Sequence, residues 1–434
     1  MSRLLNILFW SVIAAAFIGP GTVTTAASAG HGFGLRLLWA LAFSTVACLV
    51  LQEAAARLTA VSGLDLGQAL RQRYHGGLGG AAVLVVVLGA VVLGCASYEA
   101  GNILGAVVGA QLGVAVATPW LVLAIGLGAV ALLWSGRPSL IARLMGLLVA
   151  VMGAAFVITA VVLAPPLPEL LRGLLMPALP AGSGVVVLAL VGTTVVPYNL
   201  FLGSGLARGQ SLGEMRSGLA VAVVLGGLIS MAVVVVGTVV TGEFSFPQLA
   251  EVLDGRFPGG RWLLAVGLFA AGLTSAVTAP LAAAITARSL FSDAEDPAWS
   301  PTSARFRGVW GLVLAVGLAS GLSGVRPVPA IILAQAFNGL LLPLVAVFLL
   351  VAVNDRRLMG ERGLNGPWAN ALMAAVVWVT LVLGARQLAG AAGKVLALPP
   401  VSEEFLLALA AGFALLLAVP VARAVLRGRS SSVA

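Results

Sequence analysis

The sequence predicts an all-α membrane protein that crosses the bilayer about twelve times and contains two broken helices. Of its 434 residues, 60% are hydrophobic and only 9% are charged, whereas soluble proteins carry about 25% charged residues. Twelve apolar segments come close to or exceed the ~20 residues that a membrane-spanning helix needs. Two of these segments are interrupted by glycine and proline.

The apolar segments follow one another with short connections. In order they are 7–30, 37–56, 79–112, 117–135, 140–164, 184–207, 217–241, 262–290, 308–325, 327–353, 368–385 and 404–422. Segments 79–112 and 262–290 are longer than a span, so we expect tilted helices or helices that extend beyond the membrane. The polar connection 291–307 is expected to be a loop, and the tail 427–434 is expected to be disordered. The whole chain, 1–434, is predicted to form a single membrane domain.

The positive charges predict the orientation of the chain. With a cytoplasmic N-terminus, 17 of the 24 Lys and Arg residues fall on the cytoplasmic side and 7 on the other. Cytoplasmic loops of membrane proteins are enriched in these residues. We therefore expect a multi-pass protein of the plasma or inner membrane with both termini in the cytoplasm. Topology also accounts for most of the net charge of +9, so no nucleic-acid partner is expected.

The two interrupted segments are the strongest functional signal. The first contains Gly19, Pro20 and Gly21, and the second contains Pro197. A proline ends or kinks a helix, and a broken helix in a bilayer is tolerated only where it packs in protein or lines a wet cavity. Interrupted spans at matching positions of two halves point to a transporter binding site.

The same breaks predict how the spans are arranged. They lie in the first and sixth segments, so 7–164 and 184–353 are predicted to form two five-helix repeats. Because five is odd, the second repeat starts on the opposite side of the membrane. This inverted repeat is the arrangement of LeuT-like transporters. Two additional spans occupy 368–422.

Hydroxyl side chains are dense around both breaks. We expect the cluster to line a site, although each hydroxyl can instead bond to a carbonyl of its own helix. Tyr198, next to the second break, is expected either to donate to a substrate, to attract a cation through its ring, or simply to pack in the bundle. The hydroxyl residues are Thr22, Thr24, Thr25, Ser28, Thr193 and Thr194.

Three further polar features lie inside apolar segments. An acid such as Glu99 at mid-span is costly and is by default functional, as a proton carrier or a cation partner. Glu53 and Arg57 are four residues apart and predict a structural ion pair. Gln335 shares a helix face with Asn338, which fits either a site or interhelical hydrogen bonding.

Several motifs together resemble the Nramp family of divalent-metal transporters. Gly19-Pro-Gly-Thr22 stands at the place of the family's Asp-Pro-Gly-Asn, and Val196-Pro-Tyr-Asn-Leu200 at the place of Met-Pro-His-Asn-Leu. The resemblance continues in Leu51-Gln-Glu-Ala-Ala-Ala-Arg-Leu58, Gly272-Leu-Thr-Ser-Ala-Val-Thr278 and Asn354-Asp-Arg-Arg-Leu-Met-Gly360. It implies a LeuT-like secondary transporter that is embedded in a lipid bilayer.

The resemblance also implies where the substrate metal would bind, and the ligands differ there. The family's Asp and Asn of the first break are Gly19 and Thr22 here. Its Met sulfur and Ala carbonyl of the second break correspond to Val196 and Thr193. The neighbouring His is Tyr198.

Two other family positions lie outside the breaks. The third-span acidic pair appears as Glu99 and Asn102, and the tenth-span Gln is retained as Gln335.

These differences leave three functions open. The first is transport of a divalent cation bound by oxygen, with Thr22, Thr193 and Gln335 as candidate metal contacts. A partly hydrated Mg²⁺ fits such a site better than Mn²⁺ or Fe²⁺, and protons are a candidate coupling ion for symport through Glu99. The second is transport of a small organic solute between the broken helices. The third is a non-transporting membrane sensor.

No enzyme and no cofactor are expected. The sequence lacks HExxH and paired catalytic acids. Its two cysteines and two histidines do not have the spacing of a metal site.

Overall fold

The structure is a computed structural model that describes residues 10, 12–74, 77–242, 244–292, 296–325, 327–395 and 402–430. Its regular elements in these ranges are all helices. Within these ranges, each of the twelve predicted apolar segments falls mainly on helix.

The first five apolar segments form six long or half-span helices. α1 comprises residues 12–17, and the others are α2 (Pro20–Phe33), α3 (Leu38–Ser62), α5 (Gly77–Gln111), α6 (Thr118–Trp134) and α7 (Pro138–Leu163).

The remaining seven segments form eight such helices. They are α9 (Gly184–Thr194), α10 (Pro197–Leu206), α11 (Leu212–Gly237), α13 (Gly260–Phe291), α14 (Ala304–Leu322), α15 (Pro327–Ala352), α17 (Pro367–Val395) and α18 (Glu403–Ser430).

Within the described ranges, nine helical stretches are long and apolar enough to cross a membrane. One of them, Pro20–Ser62, runs through a 3₁₀ turn and contains two of the predicted segments. Two further predicted segments lie on shorter apolar helices, Thr118–Trp134 and Leu342–Ala352. The nine stretches and the two shorter helices together account for all twelve predicted segments, because Pro20–Ser62 includes parts of two of them.

Four short helices lie in connections for which the sequence predicted no secondary structure. They are α4 (Leu66–Arg73), α8 (Leu167–Leu175), α12 (Phe246–Arg256) and α16 (Arg356–Gly363). Three of them begin with a capping side chain: Asp65, Ser245 and Asp355 each accept a hydrogen bond from a first-turn N–H. Such caps satisfy N–H groups that a helix leaves unpaired.

The connection 291–307 contains one 3₁₀ turn, Pro297–Trp299, and residues 293–295 lie outside the described ranges. The expected disorder of the tail is wrong for its first residues, because α18 continues to Ser430. The reason is a set of tertiary contacts. Arg429 donates to Asn354 Oδ1 at 2.9 Å and to the Asn365 carbonyl at 3.1 Å.

Close contact between α5 and α13 forms the centre of the bundle. A Cβ added at Gly272 would overlap Ala106, and one added at Gly109 would overlap the backbone of Phe269. A forward step along α13 thus matches a backward step along α5, so the two helices are antiparallel. Small residues allow such close approach in membranes.

Candidate functional site

The first break lies where the Gly-Pro-Gly sequence predicts it. Ile18 and Gly19 leave the helical conformation, and Gly19 is extended with φ −115° and ψ −174°. α2 then starts at Pro20, whose fixed φ and missing N–H suit the first helical position. The chain therefore continues in the same segment as two half-helices, α1 and α2.

The second break has the same design. α9 ends at Thr194, Val196 is extended with φ −97° and ψ 127°, and α10 starts at Pro197. Both half-helix pairs are buried on all sides at the break. The prediction of two broken spans, the first and the sixth, is confirmed.

A hydroxyl pair connects the two breaks. Thr22 Oγ1 and Thr193 Oγ1 are 2.7 Å apart, and both side chains are fully buried. Thr22 also donates to the carbonyl of Phe17. Because a hydroxyl has one proton, Thr193 is the donor to Thr22. The two predicted site residues, one from the first and one from the sixth apolar segment, thus meet in one hydrogen-bonded chain.

Other side chains satisfy the carbonyl groups that the breaks leave without helical partners. Tyr198 donates to the Ala16 carbonyl at 2.7 Å, and Ser275 donates to the Ala15 carbonyl at 3.5 Å. At the end of α9, Tyr98 donates to the Gly192 carbonyl at 2.8 Å. Backbone oxygens at both breaks are therefore hydrogen-bonded in this conformation.

The hydroxyl group of Tyr198 bonds to the backbone, and its ring packs against a neighbouring aromatic side chain. Its ring stands edge-on to Tyr98, with centroids 5.7 Å apart and an interplanar angle of 88°. Aromatic pairs favour this T-shaped arrangement.

Gly19 is packed as a residue without a side chain. A Cβ added there would overlap Ser275 Oγ and would lie 3.5 Å from Asn102 Oδ1. Ser275 therefore occupies the volume that a side chain at position 19 would need. The family's carboxylate is absent here, and the protein has closed over its place.

Glu99 lies beside this point on α5. Asn102 donates to its Oε2 at 3.1 Å, and Gly317 of α14 packs directly against its side chain. The carboxyl group is fully buried, and Oε1 has no hydrogen-bond partner within the described ranges. Through Asn102, which faces Gly19, the acid is linked to the first break.

The other four hydroxyls of the cluster are of two kinds. Thr194 donates to the Leu190 carbonyl of its own helix at 3.0 Å, which is the alternative to lining a site. By contrast, the hydroxyls of Thr24, Thr25 and Ser28 are buried and have no partner in the part of the chain that the structure describes.

Two of these unpartnered hydroxyls, those of Thr25 and Ser28, share one face of α2 with Thr22. Residues three or four apart are neighbours on a helix surface, and the spacings from Thr22 to Thr25 and from Thr25 to Ser28 qualify. Thr24 is a neighbour of Ser28, but it is two residues from Thr22 and lies toward the opposite side of the helix. The face that contains Thr22 runs from the break to Ser28.

The remaining predicted residues are placed as follows. Pro20 packs against Gly105 of α5, where a Cβ would overlap its ring. Gly21 is buried in the first turn of α2, and Val196 adds a buried apolar side chain at the second break. The side chains of Gln335 and Asn338 lie outside the described residues, although their backbone belongs to α15.

Sequence reasoning missed Tyr98, Asn199 and Ser275 as site residues. Asn199 donates to the Ile13 carbonyl at 3.3 Å. Tyr98 directly precedes Glu99, and Asn199 directly follows Tyr198. Their position next to predicted site residues was therefore an available signal. The role of Ser275 depends on the packing of α13 against α1, which the sequence does not show.

Comparison with known proteins decides the family. The family model Nramp, natural resistance-associated macrophage protein-like, matches residues 11–389. The chain belongs to the Nramp family. Members of this family are secondary membrane transporters, so the protein is an integral membrane transporter and not an enzyme.

Curated relatives are similar to this chain over most of its length. A divalent metal cation transporter MntH from Aeromonas hydrophila is 26% identical over 393 residues, which cover 86% of this chain and 93% of the relative. The MntH of Bacillus subtilis is 25% identical over 395 residues, covering 86% and 88%.

Solved structures confirm the fold. A mutant of the manganese transporter of Eremococcus coleocola superposes with a TM-score of 0.73 at 19% identity, covering 99% of this chain and 97% of the other. Mhp1, a nucleobase-cation-symport-1 family transporter, superposes with a TM-score of 0.58 at 16% identity, covering 97% and 92%. The LeuT-like fold is thereby confirmed.

The described residues at the two breaks include no cluster of His, Cys, Asp and Glu side chains. Among the described residues, no three His, Cys, Asp or Glu side chains come together as a possible metal site. The polar atoms at the two breaks are hydroxyl, amide and carbonyl oxygens, together with the carboxyl group of Glu99.

Proposed function

We propose that this Nramp protein is a secondary transporter of a divalent cation that it binds through oxygen alone. The main support is the Thr22–Thr193 hydroxyl pair, which joins the two broken helices at 2.7 Å. Broken spans at a repeat interface are the usual place of substrate binding in this fold class. Curated relatives that cover most of the chain are divalent metal cation transporters.

Mg²⁺ is the cation that fits this chemistry best. The proposed contacts are Thr22, Thr193 and Gln335, with Gly19, Val196 and Tyr198 forming the walls. Mg²⁺ prefers oxygen ligands and keeps several waters in most protein sites. Mn²⁺ and Fe²⁺ gain selectivity from softer nitrogen or sulfur donors, and position 196 offers only an alkyl group.

Hydration of the cation also gives the face of α2 a role. Leaving a buried hydroxyl without a partner costs about 1–3 kcal/mol. Water around a transported ion would satisfy Thr25 and Ser28 as it passes along the helix. We therefore propose that this face belongs to the permeation path.

We further propose that Glu99 carries a proton during the cycle. The carboxyl group is buried next to the first break, holds one hydrogen bond from Asn102 and has one oxygen without a described partner. An intramembrane acid of this kind suits a proton relay. Glu99→Gln should make uptake independent of an imposed pH gradient. Wild-type uptake that ignores the gradient would contradict the proposal.

A small organic solute is the second candidate. It is favoured by the absence of the family's carboxylate, amide and thioether ligands at the breaks, where Gly19, Thr22 and Val196 stand instead. The positive helix ends at Pro20 and Pro197 would then hold a carboxylate.

Uptake into liposomes separates the candidates. The purified protein is reconstituted, and uptake of Mg²⁺ and Mn²⁺ is measured for wild type and for Thr22→Ala/Thr193→Ala. Loss of two oxygen contacts should lower Mg²⁺ uptake about tenfold or more, since each contributes on the order of 1 kcal/mol.

Thr194→Ala is the matched control, because this neighbouring buried hydroxyl is bonded to its own helix. It should leave uptake unchanged. Mn²⁺ uptake equal to Mg²⁺ uptake would refute the proposed preference of the site for Mg²⁺. Failure to transport either ion by folded protein would favour the organic solute.

We also propose the repeat boundaries 7–164 and 184–353, with 368–422 as two added spans, and a cytoplasmic location for both termini. The helix breaks support the first and the 17:7 charge distribution supports the second.

A further inference from the structure

A cavity of about 870 Å³ lies between the end of α2 and the short helix α8. Gly173 of α8 packs on the backbone of the 3₁₀ turn Gly34–Leu37, since a Cβ added at Gly173 would overlap the Leu35 carbonyl. This contact brings the residues beside it, Arg36 and Arg172, to the wall of the same cavity. Close packing of α8 on the turn thus places two cationic side chains around one open space.

Both guanidinium groups are available to a ligand. Arg36 and Arg172 are exposed, and neither guanidinium has a hydrogen bond or an ion pair among the described residues. Glu169 is the third charged residue of the lining, and its carboxylate forms no ion pair in that part of the chain. Two arginines and one glutamate give the cavity a net charge of +1, which a ligand with a single negative charge would neutralise.

A row of apolar side chains runs along α8 beside the cavity. Leu167, Leu171 and Leu175 are four residues apart, so they share one face of the helix, and they are 65%, 46% and 75% exposed. Met176, which lines the cavity, is 59% exposed. α8 begins four residues after the long apolar helix α7 ends. An amphipathic helix in this position lies in the membrane interface, with its apolar face among the lipids.

We propose that this cavity binds the headgroup of an anionic phospholipid that carries one negative charge. The phosphodiester would lie between Arg36 and Arg172, because a guanidinium matches phosphate oxygens in both geometry and charge. Leu175 is three residues from Arg172 and is its neighbour on the helix surface, so the acyl chains would leave the cavity across the apolar row. A free anion would satisfy the arginines but would leave this row uncovered.

Thermal unfolding of the purified protein tests for this lipid and needs no transport activity. The midpoint is measured in a neutral detergent with increasing amounts of phosphatidylglycerol, or of phosphatidylcholine with the same acyl chains. A ligand that binds only the folded protein raises the midpoint in a saturable way. We expect this rise with phosphatidylglycerol and a smaller, non-saturating change with phosphatidylcholine, whose headgroup has no net charge.

Charge variants of the lining separate a lipid site from a structural role. Arg172→Gln should raise the apparent dissociation constant of phosphatidylglycerol about tenfold, and Arg36→Gln/Arg172→Gln should abolish the saturable rise. Glu169→Gln should act in the opposite direction and lower this constant, because it removes a negative charge near the phosphate. The matched control is Arg256→Gln, since Arg256 is an exposed arginine at the end of another short helix, α12. It should keep the wild-type titration.

Equal responses of the wild type to the two lipids would overturn the proposal. The same would follow from a wild-type response to phosphatidylglycerol in the double arginine variant. Sodium phosphate, compared with sodium chloride at equal ionic strength, is the third arm of the experiment. If it raises the midpoint as the lipid does, the cavity binds free phosphate and the assignment to a phospholipid is wrong.

Discussion

At the residue scale, Gly19 is packed so closely that its neighbours leave no room for a side chain. The side-chain volume at position 19 is taken by Ser275 Oγ. We predict that Gly19→Asp, which restores the family's residue, destabilises the protein by about 1–3 kcal/mol, the usual cost of overpacking. The measurement is the thermal midpoint of the purified protein.

Ser275→Gly provides the control for this prediction. In the double variant Gly19→Asp/Ser275→Gly the overlap is removed, so most of the lost stability should return. A single Gly19→Asp variant as stable as wild type would show that Ser275 does not fill the position.

Single residues also show the limit of sequence reasoning. The sequence indicated Thr22 and Thr193 as site residues, because glycine, proline and hydroxyls clustered at two places. It could not show that Tyr198 donates to the Ala16 carbonyl. That bond depends on the relative placement of α1 and α10, which lie far apart in sequence.

At the element scale, the packing of α2 against α11 depends on glycine. A Cβ at Gly30 would overlap the Val234 carbonyl, which is backbone and cannot rotate away. We predict that Gly30→Ala separates the helices and lowers the free energy of unfolding by about 1–3 kcal/mol. Thermal or denaturant unfolding in detergent provides the measurement.

Gly32, two residues along α2, is the matched control. A Cβ there would meet no described atom within 4 Å, so Gly32→Ala should be neutral or slightly stabilising. If both alanine variants behave alike, close approach of α2 and α11 is not the reason for glycine at position 30.

The elements themselves were predictable to different degrees. Hydropathy located the long helices because a bilayer requires a minimum apolar length. Proline and glycine located both breaks, since each affects the backbone conformation at its own position. The short helices α4, α8, α12 and α16 were missed because they are too short to span a bilayer. They depend on caps such as Asp65 and on the surface beneath them.

At the scale of the whole molecule, Arg429 joins the end of α18 to the connection between α15 and α17. Arg429 bonds to Asn354 Oδ1 and to the Asn365 carbonyl. We predict that Arg429→Gln costs about 2 kcal/mol, since hydrogen bonds from a charged donor contribute about 1.5–3 kcal/mol.

Hydrogen exchange locates the effect of this change. Amides of α16 and of the last turns of α18 should exchange faster in Arg429→Gln. Arg427→Gln, an exposed arginine on the same helix, should leave exchange unchanged. Equal exchange in both variants would mean that Arg429 does not hold the connection.

The charges predict the orientation of the molecule, and two alanines allow this prediction to be tested. The antiparallel packing of α5 and α13 puts the connections after these helices at opposite ends of the bundle. Ala115 and Ala298, one in each connection, are both exposed. Cys48 and Cys95 are buried, so wild-type protein should react little with a thiol reagent.

The charge distribution predicts that Ala115→Cys reacts with a membrane-impermeant maleimide in intact cells, whereas Ala298→Cys reacts only after permeabilisation. The physical reason is that arginine-rich connections are retained in the cytoplasm during insertion. The reverse labelling would mean that the 17:7 bias does not govern insertion here.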